Sequence, residues 1–178
     1  KRSEQLSKLN ETKEWDVIII GGGASGLGTA LDAASRGYKT IMVEAVDFAK
    51  GTSSRSTKLV HGGVRYLEQG DISLVKEALK ERGLMAQNAG HVVKNQTFVI
   101  PNYNWWGGYF YTIGLTVYDL LAGRLSLGRS KYISKKKTIE LLPTVEQKGL
   151  VSGVIYHDGQ FDDSRLAINL AQTAVEKG

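Results

Sequence analysis

Apolar residues run unbroken from Val17 to Ile20 behind Asp16, a β-branched stretch of the kind that forms a strand buried on both faces of a parallel sheet. Glycines follow at once. From Ala24 to Arg36, Leu27, Leu31 and Ala34 recur at helical spacing, and Gly37 is placed to end the helix. Thr40 to Val43 predicts a second strand closing on Glu44. Together these make a βαβ unit whose crossover is expected to be right-handed. The stretch Ala45 to Gly63 has neither period and is dense in Gly, Ser and Thr; loops this long inside compact domains are usually functional.

The pattern then predicts a helix over Ile72 to Asn88, with Ile72, Val75, Leu79 and Met85 on one side and Gly90 beyond its end. Thr97 to Ile100 reads as a strand leading into Pro101, and Trp105 to Gly108 as a turn before an aromatic helix from Tyr109 to Leu121. Leu150 to Tyr156 predicts another strand. A last helix, Asp163 to Lys177, has Leu166, Leu170, Ala171 and Ala174 on its apolar face and Asp162 or Asp163 as cap. No internal repeat is present.

Composition narrows the chemistry. The 178 residues include 21 glycines, two prolines and no cysteine, which excludes disorder, a disulfide scaffold, thiolate catalysis and thiolate metal sites. His61, His91 and His157 are too far apart for a local ligand pair, so no metal is expected. The net charge of +5 favours anionic partners. Its one basic run, Lys135 to Lys137, has no interleaved aromatics and reads as a solvated loop or helix start, so nucleic acid is discounted. The segment Lys1 to Glu14 is polar and shows no signal peptide, and Tyr109 to Ala122 is too interrupted to span a membrane.

The sharpest motif is Gly21-Gly22-Gly23-Ala24-Ser25-Gly26, a G-x-G-x-x-G between strand and helix, with Glu44 eighteen residues beyond Gly26. Gly21 permits the tight turn, Gly23 lets backbone approach a pyrophosphate, and Gly26 lets helix and strand pack closely. The helix N-terminus supplies N–H groups and positive dipole to the phosphates. Glu44 suits the hydroxyls of an adenosine ribose and disfavours a 2′-phosphate, so FAD or NAD is expected rather than NADP. Two readings of the loop Gly51 to Gly63 stand side by side. Its donors line a flavin, with Lys58 or His61 bonding to or tuning the ring; or its serines and threonines are turn formers and His61 is structural.

The run Val17 to Gly23 with Asp32 and Arg36-Gly37, followed by Gly51-Thr52-Ser53-Ser54-Arg55-Ser56-Thr57-Lys58-Leu59-Val60-His61-Gly62-Gly63-Val64-Arg65-Tyr66-Leu67, closely resembles the FAD-dependent glycerol-3-phosphate dehydrogenases. The resemblance continues through Leu115 to Gly123 and Tyr156 to Leu166 and covers the chain from Asp16 onward. Leu27 departs from it, since a small residue is usual after the third motif glycine. The resemblance implies a flavoprotein of glycerol metabolism that oxidises sn-glycerol 3-phosphate to dihydroxyacetone phosphate and passes electrons through FAD to quinone. A sibling group passes them to oxygen.

Carried over by position, Gly21, Gly23, Ala24, Ser25, Gly26 and Glu44 match the adenosine and pyrophosphate contacts. Thr52, Ser53, Ser54, Ser56, Lys58, Leu59, His61 and Gly62 match the loop lining the flavin. Arg65 matches a substrate-holding arginine; its planar fork of donors suits a phosphate dianion, although the residues alone favour a surface ion pair. The implied chemistry is hydride transfer from substrate C2 to the flavin, with a base taking the hydroxyl proton. That base and the other substrate clamps are expected beyond Gly178.

The fold class expected is α/β, a Rossmann-like FAD/NAD(P)-binding domain that is incomplete and joined to the start of a substrate or cap region. Residues 1–15 form an N-terminal extension, 16–95 and 150–178 the first part of the FAD-binding domain, and 96–149 an insertion belonging to the substrate domain. The chain reads as an N-terminal fragment, inactive by itself. The resemblance, the basic charge and the aromatic helix imply a cytoplasmic protein held peripherally on the inner face of the cytoplasmic membrane. The aromatic helix reads as packed core or subunit contact, which allows a homodimer. The alternatives are an oxidase using oxygen, another amine or hydroxy-acid oxidase, against which the Gly51 to Leu67 string argues, and a non-catalytic FAD-binding module.

Overall fold

A computed structural model describes residues 2–63, 66 and 69–178. Their backbone falls into two compact units, one of residues 1–58 with 162–178 and the other of residues 59–161. Residues 59–95 and 150–161 fall in the second unit together with 96–149, whereas the sequence division grouped them with 16–58 and 162–178.

In the first unit, β1 (Val17–Ile20) and β2 (Thr40–Val43) pair in parallel, Val17 opposite Thr40 through Ile20 opposite Val43. Between them runs α2 (Ala24–Ser35), and α6 (Asp163–Lys177) packs on α2. Ile19, Ala30 and Ala174 form one buried cluster, and Leu27, Ala49 and Ala167 another with Met42, Leu170 and Ala171. Leu27, the departure noted in the sequence, is fully buried there and serves as the core contact between the helices. The polar segment before β1 forms a helix, α1 (Arg2–Glu11), with no buried residue.

One expectation fails here. β1 is not buried on both faces: Ile19 is 9% exposed, but Ile18 is 66% and Ile20 87% exposed. A parallel strand is covered on both sides only where helices lie on both faces of its sheet, and among the described residues the helical cover lies on the Ile19 side.

The second unit is built on β6 (Ser152–Phe161). β4 (Val93–Asn102) pairs antiparallel with it along its whole length, while β3 (Leu59–Val60) and β5 (Lys131–Ser134) pair with its two ends. β4 begins earlier than its apolar run and continues through Pro101, which is tolerated because β4 forms an outer edge among the described strands. α3 (Ile72–Asn88) and α4 (Trp105–Ala122) pack together through Val75, Leu79, Tyr118 and Ala122. Ile72, assigned to the apolar side, is 53% exposed.

The expected turn at Trp105 to Gly108 is instead the first turn of α4, since the Asn104 side chain accepts from Gly107 N–H at 2.8 Å and caps the helix there. One face of α4 is core; Trp106, Phe110, Ile113 and Leu120 are exposed. The three lysines open α5 (Lys135–Leu141), capped by Ser134. No helix of the described residues is long and apolar enough to cross a membrane.

Candidate functional site

Each glycine of the first-unit turn has a distinct geometric reason. Gly21 sits at φ +110°, in the region L side chains rarely adopt. A Cβ on Gly26 would lie 1.9 Å from the Gly21 carbonyl oxygen, so helix and strand meet only without one. A Cβ on Gly23 would come within 3.2 Å of Ser53 Oγ, so the bare backbone at Gly23 admits the serine loop as well as any ligand. Gly22 lies against Phe48 and Glu44 in the same way.

Gly23 is the N-cap of α2 and brings no capping side chain. Ala24 N–H donates to Ser53 Oγ at 2.8 Å and Leu27 N–H to Gly23 O at 2.9 Å. Among the described residues the Ser25 and Gly26 N–H groups of the first turn are thus left to an external acceptor, beside the positive end of the helix dipole. Glu44 closes β2 and faces the turn. Its Oε2 accepts from Gly22 N–H at 2.7 Å and its Oε1 from Val46 N–H at 2.9 Å. These bonds, Gly22's foremost, hold its carboxyl below the usual carboxylate range. Each oxygen keeps a lone pair, so the ionised group can still accept from a diol.

The loop beyond folds as a short 3-10 turn, Thr52–Ser54, then turns at Lys58, whose φ is +59°. Ser56 and Lys58 are tied to Asp163, the first residue of α6: Ser56 Oγ donates to its Oδ2 at 2.8 Å and Lys58 Nζ to its Oδ1 at 2.6 Å. Lys58 Nζ also donates to Ser54 O at 3.3 Å. The Lys58 ammonium, read from sequence as a partner of the flavin ring, is therefore already matched by a carboxylate. Asp163 lies in the first turn of α6 and is also a buried acceptor at 3% exposure, and the Lys58 ammonium, followed by the Ser56 and Ser164 donors, holds its carboxyl well below its ordinary range. The cap of α6 is Asp162, whose side chain accepts from Arg165 N–H at 3.0 Å.

Leu59, His61 and Gly62 belong to the second unit. Leu59 pairs with Gln160, and His61 is exposed. Gly62 N–H donates to the Tyr118 hydroxyl at 2.7 Å, and a Cβ at Gly62 would strike Leu79 and that hydroxyl. Tyr118 in turn donates to Asp158 Oδ2 at 3.0 Å, and Arg82 Nη1 binds Asp158 Oδ1 at 2.9 Å, all three residues being at most 3% exposed. Burial, with the Asp158 charge, raises the Tyr118 pKa strongly. Sequence reading missed this network, although a signal existed: Arg82 falls three residues after Leu79 on the apolar face of α3. Arg65, the substrate candidate, lies outside the described residues.

A parallel strand-turn-helix-strand unit with glycine-only contacts, open N–H groups at the helix start and an ionised acid at the end of the second strand defines a dinucleotide-binding protein. The family model described as DAO, FAD dependent oxidoreductase, matches residues 16–178. The chain belongs to that FAD dependent oxidoreductase family. It is 45% identical over 184 residues to the mitochondrial glycerol-3-phosphate dehydrogenase of Rattus norvegicus, with 99% of this chain and 25% of the relative covered. The chain therefore spans about a quarter of the length of that relative.

Among solved structures it is similar to the glycerol-3-phosphate dehydrogenase of Bacillus halodurans complexed with FAD, with a TM-score of 0.70 and 32% identity over 100% of this chain and 28% of that one. The L-alpha-glycerophosphate oxidase of Mycoplasma pneumoniae with FAD bound shares the fold at TM-score 0.66 and 20% identity, over 93% of this chain and 44% of that one. The glycine turn, the open N–H groups and Glu44 fit the adenosine diphosphate half of FAD on their own geometry.

Proposed function

We propose that this chain is the FAD-holding part of an enzyme that oxidises sn-glycerol 3-phosphate to dihydroxyacetone phosphate. The observation that carries the reading is the 45% identity to a glycerol-3-phosphate dehydrogenase along 99% of the chain, joined to a glycine turn whose geometry fits the cofactor such an enzyme needs. FAD, when bound, supplies the acceptor for the hydride leaving substrate C2.

The chain's residues do the holding. Ser25 and Gly26 N–H groups take the pyrophosphate, Glu44 accepts from the ribose hydroxyls, and the Thr52, Ser53, Ser54 and Ser56 segment with Leu59, His61 and Gly62 lines the ring. Lys58 acts there through its pairing with Asp163. Arg65 takes the substrate phosphate, for which its forked donors are suited. Quinone is the proposed electron acceptor; the fold shared with a glycerophosphate oxidase keeps oxygen as the second reading. Peripheral attachment to the inner face of the cytoplasmic membrane, and a homodimer, accompany the quinone reading. In this reading residues 16–95 and 150–178 form the N-terminal part of the FAD-binding domain, and 96–149 an insertion belonging to the substrate domain.

The test is anaerobic addition of glycerol 3-phosphate to the flavin-loaded full-length protein. Bleaching by this substrate but not by glycerol or amino acids is expected, with recovery of colour on adding a quinone analogue. A folded, flavin-loaded protein that stays yellow with glycerol 3-phosphate overturns the substrate assignment. Recovery with oxygen and not with quinone makes it an oxidase.

A further inference from the structure

The Asp163 carboxylate is buried at the start of α6, yet capping that helix is the work of Asp162. Beyond its own neighbour Ser164, its bonds go to one place. Oδ2 accepts from Ser56 N–H at 3.2 Å and Ser56 Oγ at 2.8 Å, and Oδ1 accepts from Lys58 Nζ at 2.6 Å. The clamped loop turns through a left-handed residue that is not glycine, Lys58, a conformation that persists only where surroundings impose it. Here Lys58 N–H donates to Ser56 Oγ at 3.0 Å and Lys58 Nζ to Ser54 O. Ser53, next to the tied Ser54, has a hydroxyl that occupies the Ala24 N–H and leaves the next two donors of α2 open. The anchor and the helix it serves form one packed body, because α6 packs on α2 through Ala167 beside Leu27 and Ala174 beside Ala30.

We propose that Asp163 is a positioning residue for the cofactor: through Ser56 and Lys58 it holds the loop in the conformation that sets Ser53 on Ala24 and fixes which N–H groups of α2 meet the diphosphate. The inference rests on the flavin reading of this loop. It assigns the acid a task at a distance from the ligand and makes Lys58 a strut rather than a free cation.

The experiment uses the full-length protein with Asp163→Ala, Ser56→Ala and, as a control on helix stability alone, Asp162→Ala. Amide hydrogen exchange over residues 51–58 is read without cofactor, and FAD affinity and the visible flavin spectrum are read with it. Asp163→Ala is expected to speed exchange in the loop by about tenfold or more and weaken FAD by about tenfold, with a shifted flavin band, each tenfold being one step of about 1.4 kcal/mol. Ser56→Ala moves both in the same direction by less. Asp162→Ala lowers stability and leaves loop exchange and FAD affinity in place. Unchanged loop exchange in Asp163→Ala, faster exchange with unchanged FAD affinity and spectrum, or equal loosening by Asp162→Ala each overturns the proposal. If Asp163→Ala does not fold, Ser56→Ala decides by the same two readings. Wild-type protein that takes up no FAD overturns the flavin reading itself, and is told apart because it fails before any substitution.

Discussion

Leu27 shows how much one side chain contributes to the cofactor unit. It is fully buried between the two helices, against Ala49 and Ala167. Leu27→Ala is expected to cost about 2–5 kcal/mol by lost transfer energy and the cavity left behind, measured by denaturant unfolding. A second residue, Arg82, is costly for the opposite reason. Removing it leaves the Asp158 charge buried with only Tyr118 as a donor, so Arg82→Met should cost about 3–5 kcal/mol in the same measurement. A cost under about 1 kcal/mol would show the pair to be solvated.

The glycines at 21, 23 and 26 were readable in the sequence because each answers to a local backbone demand. Asp163 and Asp158 were not, because their partners lie 105 and 76 residues away, at Lys58 and Arg82, and no local pattern records such a pairing.

Among the elements, α6 is the clearest case of sequence dictating structure. Its apolar positions at helical spacing and the Asp162 cap place it at Asp163–Lys177, as the pattern predicts. Asp162→Ala is expected to lower stability by about 1 kcal/mol, read from the thermal midpoint. α4 was read short because Trp105 to Gly108 looks like a turn, and only the Asn104 cap reveals the extra helical turn. β5 was unread because Lys131 to Ser134 holds only two apolar residues, too few for a strand pattern, and of α5 the sequence marked only the start at the three lysines.

The joint of α6 with the serine loop also predicts a pH dependence. The Asp163 carboxyl titrates lower in the folded than in the unfolded chain. Its contribution is therefore fully present above the unfolded value of about 4 and is lost as pH falls toward the folded value. Unfolding midpoints measured from pH 6 downward should fall below about pH 4, and fall less steeply in Asp163→Asn. Parallel curves for the two proteins would contradict the clamp.

For the molecule as a whole, the two units set different demands. The first unit offers a complete dinucleotide turn on a two-stranded sheet where, among the described residues, Ile18 and Ile20 stand exposed. The second holds Gly62 through a buried tyrosine, acid and arginine. Family membership was readable from the strings around Gly21 and Gly51, because short backbone-dictated motifs survive in sequence.

The measurement that bears most directly on the cofactor site is the FAD content of the purified full-length protein, wild type beside Gly26→Ala. Wild type should carry about one FAD per chain. The substituted Cβ would lie 1.9 Å from the Gly21 oxygen, so α2 must shift at a cost of about 1–3 kcal/mol and the variant should lose most of its flavin. Wild type without flavin, or a Gly26→Ala variant as yellow as wild type, would contradict the assignment of this turn to the cofactor.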